Sequence, residues 1–143
     1  MIKVKIKKLA KEAVLPSYSY EGDAAMDVTA ISVNYVEKPD YGYVEYGTGL
    51  AFQLPEGYYM DIRPRSSISN TGMILSNSCG VLDQNYIGEL KFRFKRVKGT
   101  KMYEVGERIG QIMIKPIPRI EWEEVDELVN TNRNEGGFGS SGK

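Results

Sequence analysis

Histidine is absent from all 143 residues. Its absence removes Ser–His and Cys–His nucleophilic catalysis and His-ligated metals together. Cysteine is nearly absent as well, and Cys79 alone excludes an internal disulfide framework or a Cys-rich zinc site. Net charge is missing too, with nineteen Lys and Arg against nineteen Asp and Glu. A general affinity for nucleic acid or for a membrane surface therefore has no electrostatic support. No long apolar run occurs, and the opening Met-Ile-Lys-Val-Lys-Ile-Lys-Lys has no apolar signal core. These absences predict a soluble intracellular protein, cytoplasmic, with no nucleic-acid or membrane partner.

What the sequence does hold is the pattern of an all-β protein in one domain. Ile2, Val4 and Ile6 alternate with lysines, and Leu90, Phe92 and Phe94 alternate with Lys91, Arg93 and Lys95. This is the period of a half-buried strand. Tyr43 to Leu54, Tyr58 to Ile62, Arg108 to Ile114 and Ile120 to Val125 read as further strands rich in Val, Ile, Tyr and Phe. Pro39-Asp40, Pro55-Glu-Gly57, Lys98-Gly99 and Val105-Gly106 supply the turns between them. Ser66 to Thr71 reads as a single helical turn capped by its leading serines. Many short strands with close turns predict a sandwich or jelly roll with very little helix.

Five segments carry polar groups that a strand core does not select. Asp27 enters an apolar strand, as a strand-end residue or as a carboxylate near a metal or an arginine. Arg63-Pro-Arg65-Ser66-Ser67 offers guanidinium groups and hydroxyls for a phosphate, or a helix cap. Asn77 to Gly88 reads as a hairpin with Asp83 at the end of an apolar run, where a turn Asp is the plainer explanation. Gln111 sits inside an apolar strand, and a buried amide needs partners, either structural or from a ligand. The last segment, Arg133 to Lys143, contains Gly137-x-Gly139-x-x-Gly142. As a dinucleotide or phosphate loop it lacks a following helix. It reads instead as a Gly-rich tail, either passive or able to close on a phosphorylated ligand through Arg133, Phe138, Ser140 and Ser141.

In this order and spacing the segments resemble the trimeric deoxyuridine triphosphatase (dUTPase) family. Its Ala-Gly-x-Asp-Leu corresponds to Ala24-Ala25-Met26-Asp27-Val28, and its Pro-Arg-Ser-Ser is intact at Pro64 to Ser67. Gly-x-Ile/Val-Asp-x-x-Tyr-x-Gly corresponds to Gly80 through Gly88, and Arg-x-Ala-Gln to Arg108 through Gln111. Arg-Gly-x-x-Gly-Phe-Gly-Ser-Thr-Gly corresponds to Arg133 through Gly142. The departures are Ala25 for Gly, Gly110 for Ala, Asn134 for Gly and Ser141 for Thr. The resemblance implies a jelly-roll domain over residues 1–128 and a flexible tail over 129–143. It also implies a homotrimer whose active sites are assembled from three chains. The implied reaction is hydrolysis of dUTP to dUMP and pyrophosphate with Mg²⁺ as cofactor. Asp83 would activate the attacking water, and Asp27 would act on the metal through water. Arg65, Ser66, Ser67 and Gln111 would take the α- and β-phosphates; Arg133, Ser140 and Ser141 would take the γ-phosphate. Asn77, Gly80, Val81 and Leu82 would read uracil, Tyr86 would pack on the deoxyribose, and Phe138 with Gly139 would cover the base.

Three rivals remain at this level. A dCTP deaminase shares the fold, but its catalytic glutamate is missing from the strand Glu89 to Lys95, which carries Arg93 centrally. A nucleotide sensor on the same scaffold has no need for Asp83, Tyr86 and Arg133 together, and a purely structural trimer needs none of the polar set.

Overall fold

A computed structural model describes residues 1–97, 99–137 and 140. Among the described residues nine strands pair antiparallel into two sheets, with one 3-10 turn beside them, the all-β architecture expected. The first sheet joins β1 (Lys5–Lys8), β4 (Gly42–Gln53), β8 (Glu89–Arg96) and β6 (Met73–Leu75), with β3 (Ser32–Glu37) also pairing β4. The second sheet runs β2 (Met26–Thr29), β9 (Arg108–Pro116), β5 (Tyr58–Arg63), β7 (Gly80–Leu82). Among the described residues no helix is long and apolar enough to cross a membrane.

The alternation in β8 works as expected: Leu90, Phe92 and Phe94 are buried, while Lys91, Arg93 and Lys95 face out. The inward side chains meet Tyr46 and Leu50 of β4, Met60 of β5 and Ile109 and Ile112 of β9 in one core. Tyr46, Phe94 and Tyr103 pack edge to face. The buried Tyr46 hydroxyl donates to the Tyr103 carbonyl at 2.7 Å, and burial pushes its pKa up to about 12. Between the sheets, Gly110 meets the Phe92 ring closely: a Cβ there would lie 2.0 Å from Phe92 Cε1. Gly110, where the family pattern has Ala, is thus matched to the large ring opposite.

Several expectations need correction. β1 begins at Lys5 and stays exposed along its length, because it is an edge strand. Val4 and Ile6 instead line an open apolar groove of about 200 Å³ with Leu15, Met26 and Ile114. Ile120 to Val125 forms no strand. Among the described residues no strand pairs with it, and Ile120 and Trp122 stand exposed. Asn77 to Gly88 is not a simple hairpin: β6 pairs β8 in one sheet, β7 pairs β5 in the other, and the chain crosses between them. The single turn is a 3-10 turn over Ser66–Asn70 whose cap is Arg65, with no side-chain capping bond. The serine hydroxyls are therefore not committed to capping its N-terminus. Lys98, within one anticipated turn, lies outside the described residues.

Candidate active site

The outer face of the second sheet organises the first cluster. Asp27, Gln111 and Arg63 occupy one cross-strand row, Asp27 opposite Gln111 and Gln111 opposite Arg63. Period-two alternation in β2 leaves Val28 in the core and brings Asp27 onto the Gln111 face. There one carboxylate gathers four donors. Arg65 Nε (2.9 Å) and Gln111 Nε2 (3.2 Å) donate to Oδ1. Arg108 Nη1 (2.9 Å) and Ser19 Oγ (3.1 Å) donate to Oδ2. Burial pushes the Asp27 carboxyl up, but bonds from Gln111, Ser19 and Arg65 and the Arg65 charge outweigh it and hold it below the ordinary carboxylate range. One negative charge is set against two guanidinium charges, so the cluster keeps a positive charge for an anion. Arg65 Nη1 reaches Ser67 Oγ at 3.3 Å. Arg65, Ser67 and Arg108 border an open cavity of about 330 Å³ together with Lys101 and Tyr103. Ser66 is exposed at the head of the 3-10 turn, and its carbonyl accepts from Ser69.

The second cluster surrounds a cavity of about 470 Å³ lined by Asn77, Gly80, Val81, Leu82, Asp83 and Tyr86, with Ile62, Leu90 and Phe92 among the other walls. β7 pairs Gly80 with Ile62 and Leu82 with Met60, which fixes the backbone that ends at Asp83. Asp83 is exposed in a turn closed by Tyr86 N donating to the Asp83 carbonyl at 3.0 Å, so its carboxylate faces solvent. Tyr86 lies over Gly88, where a Cβ would stand 2.6 Å from its hydroxyl, and that hydroxyl donates to the Glu89 carbonyl at 3.1 Å. Any residue larger than glycine at 88 would push the ring from this position.

The sequence-predicted residues thus fall into two sets that the chain keeps apart. The two cavities share no lining residue. Arg133 belongs to neither: it is exposed, and its Nε donates to the Gly136 carbonyl at 2.8 Å. Ser140 is exposed, with its backbone N–H bonded to the Gly137 carbonyl. Phe138, Gly139 and Ser141 lie outside the described residues. Asn134 adopts φ 42°, left-handed backbone that asparagine tolerates where the family pattern has Gly. It is tied by reciprocal bonds to Thr131. Ala25 has no such requirement, since the non-glycine residues with positive φ are Ser78 and Asn134 among the described residues.

Sequence reasoning passed over two members of the Asp27 cluster. Arg108 stood in a motif next to Gln111, and its charge at a strand start was the available signal. Ser19 lies in a loop with no distinguishing pattern, and only folding brings it to Asp27 and Arg108.

Comparison with known proteins agrees with this geometry. The dUTPase family profile matches residues 11–142. A deoxyuridine 5'-triphosphate nucleotidohydrolase from Hydrogenobaculum is 39% identical over 143 residues, covering 99% of each chain. One from Fusobacterium nucleatum is 39% identical over 146 residues and covers both chains fully. Among solved structures, the dUTPase of Staphylococcus bacteriophage 80alpha with dUPNHPP superposes with a TM-score of 0.79 at 27% identity, covering 99% of each chain. With the family profile spanning nearly the whole sequence and full-length relatives at this identity, the chain belongs to the dUTPase family.

Proposed function

We propose that this chain hydrolyses dUTP to dUMP and pyrophosphate, limiting uracil incorporation into DNA and supplying dUMP for thymidylate synthesis. The observation that carries the reading is the division of labour between the two clusters. One is a guanidinium pair held by a buried carboxylate and suited to a polyphosphate. The other is a separate cleft edged by strand backbone, a fixed tyrosine ring and an exposed carboxylate. In the cleft, backbone groups of Gly80 to Leu82 with Asn77 match the N3–H donor and O4 acceptor of uracil. Cytosine inverts both and leaves buried partners unpaired, a mismatch that can discriminate by about 10⁴. Tyr86 fills the space beside C2′ and disfavours a ribose. Asp83 accepts a proton from water as that water attacks the α-phosphorus in line, and the bond from α-phosphorus to the bridging oxygen breaks to release pyrophosphate. Arg65, Ser66, Ser67 and Gln111 orient the α- and β-phosphates, while Arg133, Ser140 and Ser141 hold the γ-phosphate and Phe138 with Gly139 covers the base. Positioning and charge neutralisation carry the catalysis, and no covalent intermediate is needed.

The donor set fits a Mg²⁺ that arrives on the triphosphate. Among the described residues no group of three His, Cys, Asp or Glu is placed to cage an ion. Four protein donors already occupy both Asp27 oxygens, so Asp27 would reach the metal through water. When bound, Mg²⁺ would neutralise phosphate oxygens and limit the conformations of the chain.

The same separation supports a homotrimer with shared sites: a 1–128 domain supplying each cluster to a different site, and a 129–143 tail completing a third. The reading is tested by Asp83→Asn. Turnover is expected to fall by about 10² or more, the scale of losing a general base, with binding of a non-hydrolysable dUTP analogue retained. Near-normal pyrophosphate release from the folded variant would remove Asp83 from this role.

A further inference from the structure

One buried polar atom next to the guanidinium cluster has no partner. The Tyr103 hydroxyl makes no hydrogen bond among the described residues, although the residue is only 8% exposed. Buried hydroxyls are ordinarily paired, and an orphan one marks a strained site or a missing partner. Its surroundings point to the second. Tyr103 lines the same cavity as Arg65, Ser67 and Arg108. Burial and the charge of Glu107, another residue of this cavity, push its phenol up, while the Ser67 hydroxyl and the Arg65 charge pull it back in part. The ring has little room to leave. It packs edge to face on Tyr46 and Phe94 with centroids 6.4 and 5.8 Å away, and its own carbonyl accepts from the Tyr46 hydroxyl.

A serine hydroxyl accepts two hydrogen bonds and donates one. Arg65 Nη1 fills one acceptor position of Ser67. We infer that Tyr103 is a further positioning residue of this site, whose hydroxyl donates to the second acceptor position of Ser67 Oγ when a polyphosphate is bound. With both acceptor positions filled, the Ser67 proton has only the cavity to point into, where it meets a phosphate oxygen. Tyr103 therefore acts through Ser67 and touches no substrate atom itself. The relay Asp27–Arg65–Ser67–Tyr103 would then carry rigidity from the aromatic core to the phosphate.

This inference rests on the reading of the cavity as a polyphosphate site, and the test separates the two. Tyr103→Phe removes the hydroxyl and keeps the ring, so it should melt at or above the temperature of the unaltered protein. Titration with a non-hydrolysable dUTP analogue and Mg²⁺ should show affinity reduced roughly tenfold, the scale of one hydrogen bond to a charged network. Affinity for deoxyuridine, which has no phosphate, should be unchanged. In a Ser67→Ala background the same change should add nothing, because the relay is already cut. Unchanged analogue affinity in Tyr103→Phe, an equal loss for deoxyuridine, or a full additional loss on top of Ser67→Ala would each overturn the inference and leave the polyphosphate reading standing. Failure of the unaltered protein to bind the analogue would overturn both.

Discussion

At the scale of single residues, Asp27 and Gly110 show two kinds of dependence. Asp27 ties loop, turn and strand together through Ser19, Arg65, Arg108 and Gln111, all on one carboxylate. Asp27→Asn keeps the shape but removes the charge and turns an acceptor oxygen into a donor facing donors. Removing one partner of a buried pair is costly, but Arg108 is half exposed and can re-solvate. The expected loss is about 1–3 kcal/mol in denaturant unfolding, with kcat/KM for dUTP falling as Arg65 loses its orientation. A variant with unaltered kcat/KM would show that Arg65 is held by other means. Gly110 depends on packing alone. Gly110→Ala drives a methyl into Phe92, and overpacking of this kind costs about 1–3 kcal/mol. Phe92→Leu in the same chain should return part of that stability, and an additive double variant would disprove the match. The sequence marks Gly110 as a departure from its family, but the reason lies in residue 92, on a strand of the opposite sheet, which no local pattern reveals.

At the scale of elements, strand pairs on both sheets are joined by a carboxylate set against two cations. Asp27 of β2 faces Arg108 at the start of β9 and Arg65 just beyond β5; Glu45 of β4 faces Lys91 and Arg93 of β8; Asp61 of β5 faces its own Arg63 and Lys115 of β9. For each, burial raises the carboxyl pKa and the hydrogen bonds and charges lower it further, ending below the ordinary 3.8 of Asp or 4.5 of Glu. A depressed folded pKa means the stabilisation is fully present above those ordinary values and is lost as pH falls through the lower folded ones. The fold should therefore hold its stability down to about pH 4–5 and lose it progressively below. The paired variants Glu45→Gln and Asp61→Asn should flatten that acid limb when melting temperature is followed against pH. An unchanged limb would mean the acid loss comes from other groups. Apart from the four-residue β2, the strands that carry these pairs are also those the sequence reveals: β4, β5, β8 and β9 are long enough for a period to register. β6 and β7 have three residues each, too few for any period, and β3 holds Val33, Tyr35 and Val36 in an exposed strand with no buried face to set a period. The misread segment, Ile120 to Val125, has the strand composition without a strand partner among the described residues. Composition reports the tendency to pair, not the chain that supplies the partner.

At the scale of the whole molecule, the proposed homotrimer would account for both that missing partner and the divided site. Beyond β9 the chain runs on through residues 117–129 with Ile120, Trp122, Leu128 and Val129 exposed, Trp122 at 87%. β1 leaves an open sheet edge beside an apolar groove. A homotrimer in which each arm lies on a neighbouring chain would cover the arm and bring the separate clusters and the tail together. Trp122 is the only tryptophan, so its fluorescence reports on the arm alone. In the assembled protein its emission should be blue-shifted and poorly quenched by acrylamide, and it should move to the red on dissociation. Trp122→Ala should weaken assembly by about 2 kcal/mol per arm, the scale of an aromatic anchor. The division of the site gives the decisive experiment. An Asp83→Asn chain lacks the base but keeps its tail, and a chain truncated before Arg133 keeps the base but lacks the tail. Each alone should be nearly inactive. Refolded together, some mixed trimers would contain a site with Asp83 from one chain and Arg133 from another, and pyrophosphate release should return in proportion to their number. No recovery in mixed trimers verified by mass would mean that each chain completes its own site, and the separation of the two cavities would then need another cause.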